Sequence, residues 1–308
     1  MKILITGASS LPGYRAALAA LQRGYEVVAL HLSHDVPIEH PKLKKVKLDI
    51  TDTVRLQDLV LKERPDVVIH AAALGDVDEC ERNKELAWRV NVASTAALAQ
   101  AAEVVNAYVL YLSTDYVFDG ERGMYGEREP PNPVNYYGLT KLMGEVAVQA
   151  RCSRWSIVRA SSIYGLGPGR TNFAKFLVEK LSKGERVRAL VDQYTSPSQA
   201  TLLAEAMMEI LERRMVGIFH VVGERMSRYE FALKVAEALG FDKSLISPAR
   251  MDEFKWLARR PRDSSPAFEE ARSKLSCSFY STGKALETLK AELEALRLGQ
   301  QVQPAPLA

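Results

Sequence analysis

The chain has 308 residues, of which 47% are hydrophobic and 26% charged, and its formal net charge is only +3. This length and apolar content suffice for one large or two modest domains with buried cores. Because lysine and arginine are scattered among aspartate and glutamate, the composition argues against a nucleic-acid or membrane-surface partner.

Cysteine and histidine usage excludes several other classes. Cys80, Cys152 and Cys277 lie far apart and form no Cys-x-x-Cys pair, so we expect neither a disulfide framework nor a thiolate zinc site. The histidines lack the spacing of a metal motif, and we predict no metal. No apolar signal segment follows Met1 and no run of about 18 apolar residues occurs. We therefore expect a cytoplasmic protein.

The first 115 residues alternate short β-branched runs with longer segments of helical periodicity. Strands are predicted at 2–6, 26–30, 44–47, 67–70 and 108–112. Helices are predicted between them at 14–23, 54–63 and 86–105. Each strand is apolar on both faces, as burial between two helix layers requires. The pattern predicts an α/β fold with a Rossmann-type, doubly wound parallel sheet.

The rest of the chain predicts a smaller α/β substrate domain. A helix to about residue 149 and a strand at 155–159 precede a glycine- and proline-bearing loop at 164–170. Beyond it, helices are predicted near 173–183, 202–213 and 228–239, with a strand at 217–222. We place a dinucleotide-binding domain at 1–165, the smaller domain at 166–299, with segments able to return to the first, and a flexible tail at 300–308.

The run Thr6-Gly-Ala-Ser-Ser-Leu-Pro-Gly13 follows the first strand and opens the first helix, as a dinucleotide-binding turn does. Gly7 permits the tight turn, and Gly13 lets helix and strand approach. The middle position, usually glycine, is Ser10, whose hydroxyl can cap the helix. We predict that Gly7, Ser9, Ser10, Leu11 and Gly13 bind a pyrophosphate; a plain strand-to-helix turn is the alternative.

The end of the second strand bears on the choice of cofactor. NAD-selective folds place an acid there, whereas this chain has Leu30-His-Leu-Ser-His34. His31, Ser33, His34 and Arg15 can instead surround a 2′-phosphate, so NADP is favoured and NAD stays open. The alternative is that these side chains are exposed and idle. The predicted cofactor site is completed by residues at the ends of the next two strands: Asp49, Ile50, Ala71, Ala72 and Ala73.

Tyr137 and Lys141 lie four residues apart in a segment predicted to be helical. This spacing places an ammonium and a phenol on one helix face, as proton transfer to a carbonyl or from an alcohol requires. Ser113 and Thr114, at the end of the fifth strand, supply a hydroxyl partner. A tyrosine and a lysine at this spacing also occur by chance, so the rest of the chain must decide.

Four segments resemble the extended short-chain dehydrogenases/reductases and, within them, the dTDP-4-dehydrorhamnose reductases. The resemblance runs from Gly7 to about Leu275. The segments are Leu112-Ser-Thr-Asp-Tyr-Val-Phe-Asp-Gly120, Tyr137-Gly-Leu-Thr-Lys-Leu-Met-Gly-Glu145, Asp192-Gln193 with Ser196-Pro-Ser198, and Arg260-Pro-Arg-Asp-Ser-Ser265.

The resemblance implies roles for individual residues. Thr114 matches the hydroxyl that hydrogen-bonds the substrate carbonyl, with Ser113 as second candidate. Tyr137 matches the proton donor. Lys141 matches the residue that binds the nicotinamide ribose and lowers the pKa of the phenol, so Tyr137 and Lys141 also belong to the cofactor site.

The resemblance further implies substrate contacts at Tyr116, Val117, Asn172 and Gln193. Tyr116 and Val117 would wall the sugar, and Asn172 and Gln193 would contact the nucleotide sugar. Core packing is the alternative for Val117, and helix capping or loop hydrogen bonding for Asn172 and Gln193. Asn91 resembles the family's structural asparagine.

The function implied is NADP-dependent reduction of a nucleotide-linked 4-keto-6-deoxysugar, forming dTDP-L-rhamnose or a related dTDP-deoxysugar. One alternative is a non-catalytic, dinucleotide-binding regulatory subunit like that of methionine adenosyltransferase. Another is a nucleotide-sugar epimerase or dehydratase, although Asp115 supplies only half of a dehydratase's acid–base pair. Because family members commonly form homodimers, we expect one here.

Overall fold

A computed structural model describes residues 1–298 of the chain, so the tail predicted at 300–308 lies outside the described residues. The central sheet has seven parallel strands in the order β3-β2-β1-β4-β5-β6-β9, with short two-stranded sheets beside it. The strands are β1 (Lys2–Thr6), β2 (Glu26–His31), β3 (Leu43–Lys47), β4 (Val67–His70), β5 (Tyr108–Thr114), β6 (Trp155–Ala160), β7 (Val187–Leu190), β8 (Tyr194–Thr195), β9 (Gly217–His220), β10 (Met226–Ser227) and β11 (Ile246–Ala249).

Helices cover both faces of this sheet. They are α1 (Leu11–Gln22), α2 (Thr53–Glu63), α3 (Val77–Arg82), α4 (Lys84–Trp88), α5 (Ser94–Val104), α6 (Tyr136–Arg151), α7 (Phe173–Leu181), α8 (Ala200–Glu212), α9 (Arg228–Leu239), α10 (Glu269–Lys274) and α11 (Thr282–Arg297). Along β1, Ile3 and Ile5 pack into the core on one face, while Leu4 packs into the core on the other. The doubly wound Rossmann-type fold is therefore confirmed.

The smaller lobe is built from segments after the glycine-rich loop. Its strands β7 and β11 pair in parallel, and β8 pairs antiparallel with β10. Two of the later elements return to the main sheet, since β9 pairs with β6 and α8 packs on α1. The domain boundary after residue 165 thus remains a prediction. Residues 200–220 lie beyond it in the sequence but pack with the first domain.

The helix predicted at 86–105 is interrupted. Arg89–Ala93 forms a single π-helical turn between α4 and α5. The wider turn carries Asn91, whose carboxamide accepts from Leu74 N (2.8 Å) and donates to Leu74 O and Thr140 Oγ1. Asn91 therefore joins the loop after β4 to α6.

Candidate active site

The turn after β1 approaches the chain after β4 closely. Gly7 has φ +65°, and a Cβ built on it would lie 2.8 Å from the Ala72 backbone. A Cβ on Gly13 would lie 2.3 Å from Gly7 O. Ser10 caps α1, since its Oγ donates to Gly7 O (2.7 Å) and accepts from Gly13 N (3.4 Å). The serine thus ties the turn to the start of α1, and a helix N-terminus is a favourable place for an anion.

A cleft of about 280 Å³ runs from this turn across the ends of β2 and β3. Most of the predicted cofactor residues line this cleft: Gly7, Ser9, Ser10, His31, Ser33, Asp49, Ile50, Ala71, Ala72 and Ala73. The other lining residues are Leu30, Leu32, His34, Leu48 and Val90. Leu11 and Gly13 do not line it. Leu11 is buried beneath Gly167 and Gly169 of the following loop, and Gly13 serves the packing of the turn.

A second cleft, of about 400 Å³, adjoins the first and contains Ser113, Tyr137 and Lys141. Ser10, Ala71 and Ala73 line both. The two are therefore halves of one cleft along the carboxyl edge of the sheet, where open α/β sheets bind ligands. An elongated cleft with the glycine turn at its middle fits a dinucleotide. The predicted adenosine end, called the adenosine half, is at His31, and the predicted nicotinamide end is near Tyr137.

His31 ends β2 on the wall of the adenosine half. Its Nδ1 is buried without a hydrogen-bond partner among the described residues, and its Nε2 lies 3.6 Å from Asp35 Oδ1. Arg15, predicted to face the same phosphate, lies elsewhere. Its buried guanidinium pairs with Glu292 (2.9 Å) and donates to Leu166 O. That part of the prediction is wrong, because Arg15 ties α1 to α11.

Helix α6 carries the phenol and the amine on one face. Asn135 caps it by accepting from Gly138 N (2.9 Å), so Tyr137 lies in the first turn and Lys141 in the second. Lys141 Nζ donates to Leu112 O (2.8 Å) and lies 4.1 Å from the centre of the Tyr111 ring. Burial lowers the pKa of Lys141 to about 7, and the nearby Glu145 carboxylate opposes this shift.

The phenol of Tyr137 lies on the wall of the second cleft, beside Thr114. Burial raises the pKa of Tyr137 well above its ordinary value, and a hydrogen bond from the Thr114 hydroxyl opposes this. The lowering of this pKa by Lys141 stays a prediction; in the structure its ammonium donates to the Leu112 carbonyl. Ser113, the second candidate for the hydroxyl role, donates to Glu145 Oε1 (2.5 Å), whereas Thr114 lies within hydrogen-bonding reach of the phenol.

Of the predicted substrate residues, Tyr116 lies beside Tyr137, whereas Val117 lies in the core. Tyr116 packs edge-on against the Tyr137 ring, with centroids 6.0 Å apart. Val117 is fully buried against Phe118 and Tyr125, so its predicted contact with a ligand is wrong and its alternative of core packing holds.

Asn172 and Gln193 use their amides within the protein. Asn172 caps α7, accepting from Lys175 N and donating to Gly165 O. Gln193 is buried; it donates to Pro261 O and accepts from Arg228 Nε (2.6 Å). Both amides have partners within the protein, and their contacts with a nucleotide sugar stay predictions; Gln193 also holds an arginine.

Two arginines that sequence reasoning missed lie beside Tyr116. Arg228 begins α9, hydrogen-bonds the Tyr116 phenol and lies over the Phe173 ring. Arg260 pairs with Asp78 (3.0 Å) and acts electrostatically on Tyr116. Arg260 stands within a quoted motif, but nothing local marks Arg228, because only the pairing of β8 with β10 brings it to Gln193.

Comparison with known proteins decides the family. The family described as "RmlD substrate binding domain" matches residues 1–294. The chain belongs to this family. A relative of this RmlD-family chain, the probable low-salt glycan biosynthesis reductase Agl14 of Haloferax volcanii, is 34% identical over 283 residues, covering 90% of this chain and 93% of that protein.

Solved structures agree with the RmlD assignment. A hypothetical dTDP-4-dehydrorhamnose reductase from Sulfolobus tokodaii is 41% identical, with a TM-score of 0.81 over 91% of this chain and 97% of that chain. The dTDP-4-dehydrorhamnose reductase of Bacillus anthracis, solved in complex with NADP, is 28% identical, with a TM-score of 0.83 over 94% and 98%.

Residues 1–298 contain no group of three or more His, Cys, Asp or Glu side chains able to hold a metal ion. In the same range, each helix is too short or too polar to cross a bilayer.

Proposed function

We propose that this protein is an NADP-dependent reductase of a nucleotide-linked 4-keto-6-deoxysugar, forming dTDP-L-rhamnose or a related dTDP-deoxysugar. The observation that carries this proposal is the placement of Tyr137 and Lys141 in one half of a cleft whose other half begins at His31. The dTDP-4-dehydrorhamnose reductases among its structural relatives, one bound to NADP, support the substrate and the cofactor.

The cofactor would be held by the turn at Gly7 to Ser10, by the alanines after β4 and by His31. When bound, NADPH would supply a hydride to the carbonyl carbon of the sugar. Tyr137 would donate a proton to the carbonyl oxygen, and its burial keeps the phenol protonated at neutral pH, as a proton donor requires. Lys141 would bind the nicotinamide ribose from the next turn of α6.

The substrate would lie between Tyr116 and the smaller lobe. Arg228, held by Gln193, and Arg260, held by Asp78, present cationic groups beside Tyr116. Guanidinium groups pair well with phosphate oxygens, so these residues suit the diphosphate of a nucleotide sugar.

The alternative of a dehydratase is less well supported. Its extra acid would have to be Asp115, which is 2% exposed and accepts hydrogen bonds from Thr114, Ser161 and Ser264. A carboxylate engaged in this way is turned from the cleft.

The homodimer and the cytoplasmic location remain predictions.

The direct test is to mix the purified protein with NADPH and dTDP-4-keto-6-deoxy-L-lyxo-hexose and follow the absorbance of the reduced nicotinamide. We expect turnover and a dTDP-deoxyhexose product by mass spectrometry. Tight NADPH binding without turnover would instead favour the regulatory-subunit alternative, and a product lighter by one water would favour a dehydratase.

A further inference from the structure

Glu145 is a buried carboxylate on α6, one helical turn beyond Lys141 and two beyond Tyr137. It lines neither half of the cleft, so its effect on a bound ligand would pass through other residues. Its Oε1 accepts from Ser113 Oγ (2.5 Å) and Arg159 Nε (2.9 Å), and its Oε2 accepts from Arg159 Nη2 (2.7 Å). One carboxylate therefore joins α6 to both β5 and β6.

The end of β5 is held by Glu145 and by Lys141 together. The strand β4 pairs with β5 up to Tyr111, and the last three residues of β5 continue beside β6. Within these three, Ser113 donates to Glu145. Lys141 Nζ donates to the carbonyl of the preceding residue, Leu112 (2.8 Å). The two α6 side chains thus reach adjacent residues of one strand end.

The titratable groups around the Lys141 ammonium decide how it keeps its charge. They are Tyr137 and Glu145 on the same helix, Tyr111 on β5, His70 on β4 and Cys80 on α3. Burial raises the pKa of both phenols and, to about 12, that of the Cys80 thiol, and it lowers the pKa of His70 to about 3. These groups are therefore neutral at pH 7, which leaves Glu145 as the charged neighbour among the described groups that act on this ammonium.

Two further pairs of charges lie near this arrangement. Behind Glu145, the Arg159 guanidinium balances part of its charge. On the wall of the second cleft, Asp76 and Arg170 pair with each other (2.8 Å). The charge of Glu145 therefore acts on Lys141 against one opposing group, Arg159, and these two residues can be varied separately.

We propose that Glu145 is a positioning residue, which holds the end of β5 against α6 and supplies the negative charge that keeps Lys141 a cation in the cleft. An ammonium has three hydrogens. One goes to Leu112 O, which leaves two for the hydroxyls of a nicotinamide ribose. The proposal rests on the proposed function for its ligand, whereas the charge of Lys141 is measurable in the free protein.

The test follows the titration of Lys141 by NMR in free protein labelled with ¹³C at the lysine ε-carbons. Its signal is the one that Lys141→Met removes. In wild type we expect the midpoint near pH 7, because burial lowers the pKa of Lys141 to about 7. In Glu145→Gln the midpoint should move down by about one pH unit, since the carboxylate is lost and Arg159 stays charged. In Arg159→Met it should move up, since the carboxylate is then unbalanced.

The opposite directions of these shifts separate a charge that acts on Lys141 from a merely structural junction. Glu145→Gln and Arg159→Met break the same ion pair, so a junction that only fastens the strands would give the same effect in both. Midpoints that do not move, or that move in the same direction, would overturn the proposal.

A double variant guards against a failure to fold. Removing one partner of a buried ion pair leaves an unpaired charge, whereas replacing both partners does not. Glu145→Gln combined with Arg159→Met should therefore fold, with a midpoint below that of wild type and above that of Glu145→Gln alone. A midpoint at or above the wild-type value would contradict the proposal.

The matched control is a second buried ion pair, between α1 and α11. Arg15 and Glu292 lie 2.9 Å apart and are as buried as Arg159 and Glu145. Glu292→Gln should leave the midpoint of Lys141 in place. A downward shift equal to that of Glu145→Gln would show that any broken ion pair moves it, and would overturn the proposal.

Binding of NADPH gives a second readout without turnover. Fluorescence titration should show an affinity that falls by up to about tenfold per pH unit above the Lys141 midpoint. The start of this fall should move down in Glu145→Gln and up in Arg159→Met, while His31 and the cofactor phosphates are common to all three proteins. If the NMR midpoints shift as expected but NADPH does not bind, the proposed function fails and the role of Glu145 stands. If NADPH binds with the same pH dependence in all three, the proposed role is contradicted.

Discussion

The two halves of the site are built in different ways. The cofactor half consists of backbone and small side chains at the ends of neighbouring parallel strands, such as Gly7, Ser10 and Ala72. The proposed substrate half is the region beside Tyr116, where the long side chains of Arg228 and Arg260 are held by partners distant in the sequence. The first half follows from local motifs and sheet topology, whereas the second exists only once the smaller lobe has folded against the first.

The largest effect is expected at Tyr137, the proposed proton donor. Tyr137→Phe keeps the ring, which packs against Tyr116, but removes the proton donor. We expect kcat to fall by about 10²–10⁴, with little change in the melting temperature or in the affinity for NADPH. Steady-state kinetics and fluorescence titration of NADPH check this, and full activity in the variant would reject the proposed chemistry.

Local pattern was enough for the fold and for most of the cofactor half. Every strand of β1 to β6 begins within one residue of its predicted position, because a doubly buried parallel strand leaves a continuous apolar run. The π-turn at Arg89–Ala93 was missed, since Asn91 and its partners Leu74 and Thr140 come together only in three dimensions. Val117, which is buried in the core, was misjudged for a related reason. Sequence position does not tell whether a side chain faces a ligand or supports the residue that does.

The cofactor half should be intolerant of added atoms. In Gly13→Ala, the new Cβ would lie 2.3 Å from Gly7 O, a backbone atom that cannot move without opening the turn. We expect binding of NADPH to weaken by roughly 100-fold, with a loss of about 1–3 kcal/mol in unfolding free energy. Gly283→Ala in α11 is the matched control, since its Cβ would lie an ordinary 3.9 Å from Ser281 Oγ and the residue lines neither cleft. Equal effects at the two positions would refute the close approach.

The substrate half should respond through charge. In Arg228→Gln the side chain keeps polarity near Gln193 and Tyr116 but loses the guanidinium. Losing a charge-assisted hydrogen bond of about 2 kcal/mol corresponds to a rise of roughly 30-fold in KM for the nucleotide sugar. The KM for NADPH should stay within a factor of about two, because Arg228 lies outside the cofactor cleft. A larger change for NADPH would break the distinction between the two halves.

At one edge of the cofactor half, the side chain of His31 should influence the choice between NADPH and NADH. His31→Asp restores the acid that NAD-selective folds place at the end of β2. We expect the ratio of kcat/KM for NADPH to that for NADH to fall about tenfold, a change of about 1.4 kcal/mol. Substitution of His40, which lies outside the cleft, serves as control. An unchanged ratio would mean that His31 does not face the adenosine ribose.

The last effect is on stability and its dependence on pH, with no direct part in the reaction. His70 joins β4 to the phosphate turn. Its Nδ1 accepts from Thr6 Oγ1 (2.6 Å), and the same threonine oxygen accepts from Ala72 N. Its Nε2 donates to Thr95 Oγ1 (2.9 Å), because the hydrogen of the Thr95 hydroxyl goes to Asn91 O. These bonds require a neutral ring, and burial lowers the pKa of His70 from 6.5 to about 3.

Because the pKa of His70 is lower in the folded protein than in the unfolded chain, the unfolded chain takes up the proton first as the pH falls. The stabilisation is therefore complete above pH 6.5 and is lost progressively between pH 6.5 and 3. Urea unfolding of wild type should show the free energy decreasing by up to about 1.4 kcal/mol per pH unit for each such histidine, and His220, also shifted to about 3, adds to the slope. His70→Asn should be less stable at pH 7 but should lose less on acidification. A slope equal to that of wild type would show that the neutral imidazole does not hold the phosphate turn in place.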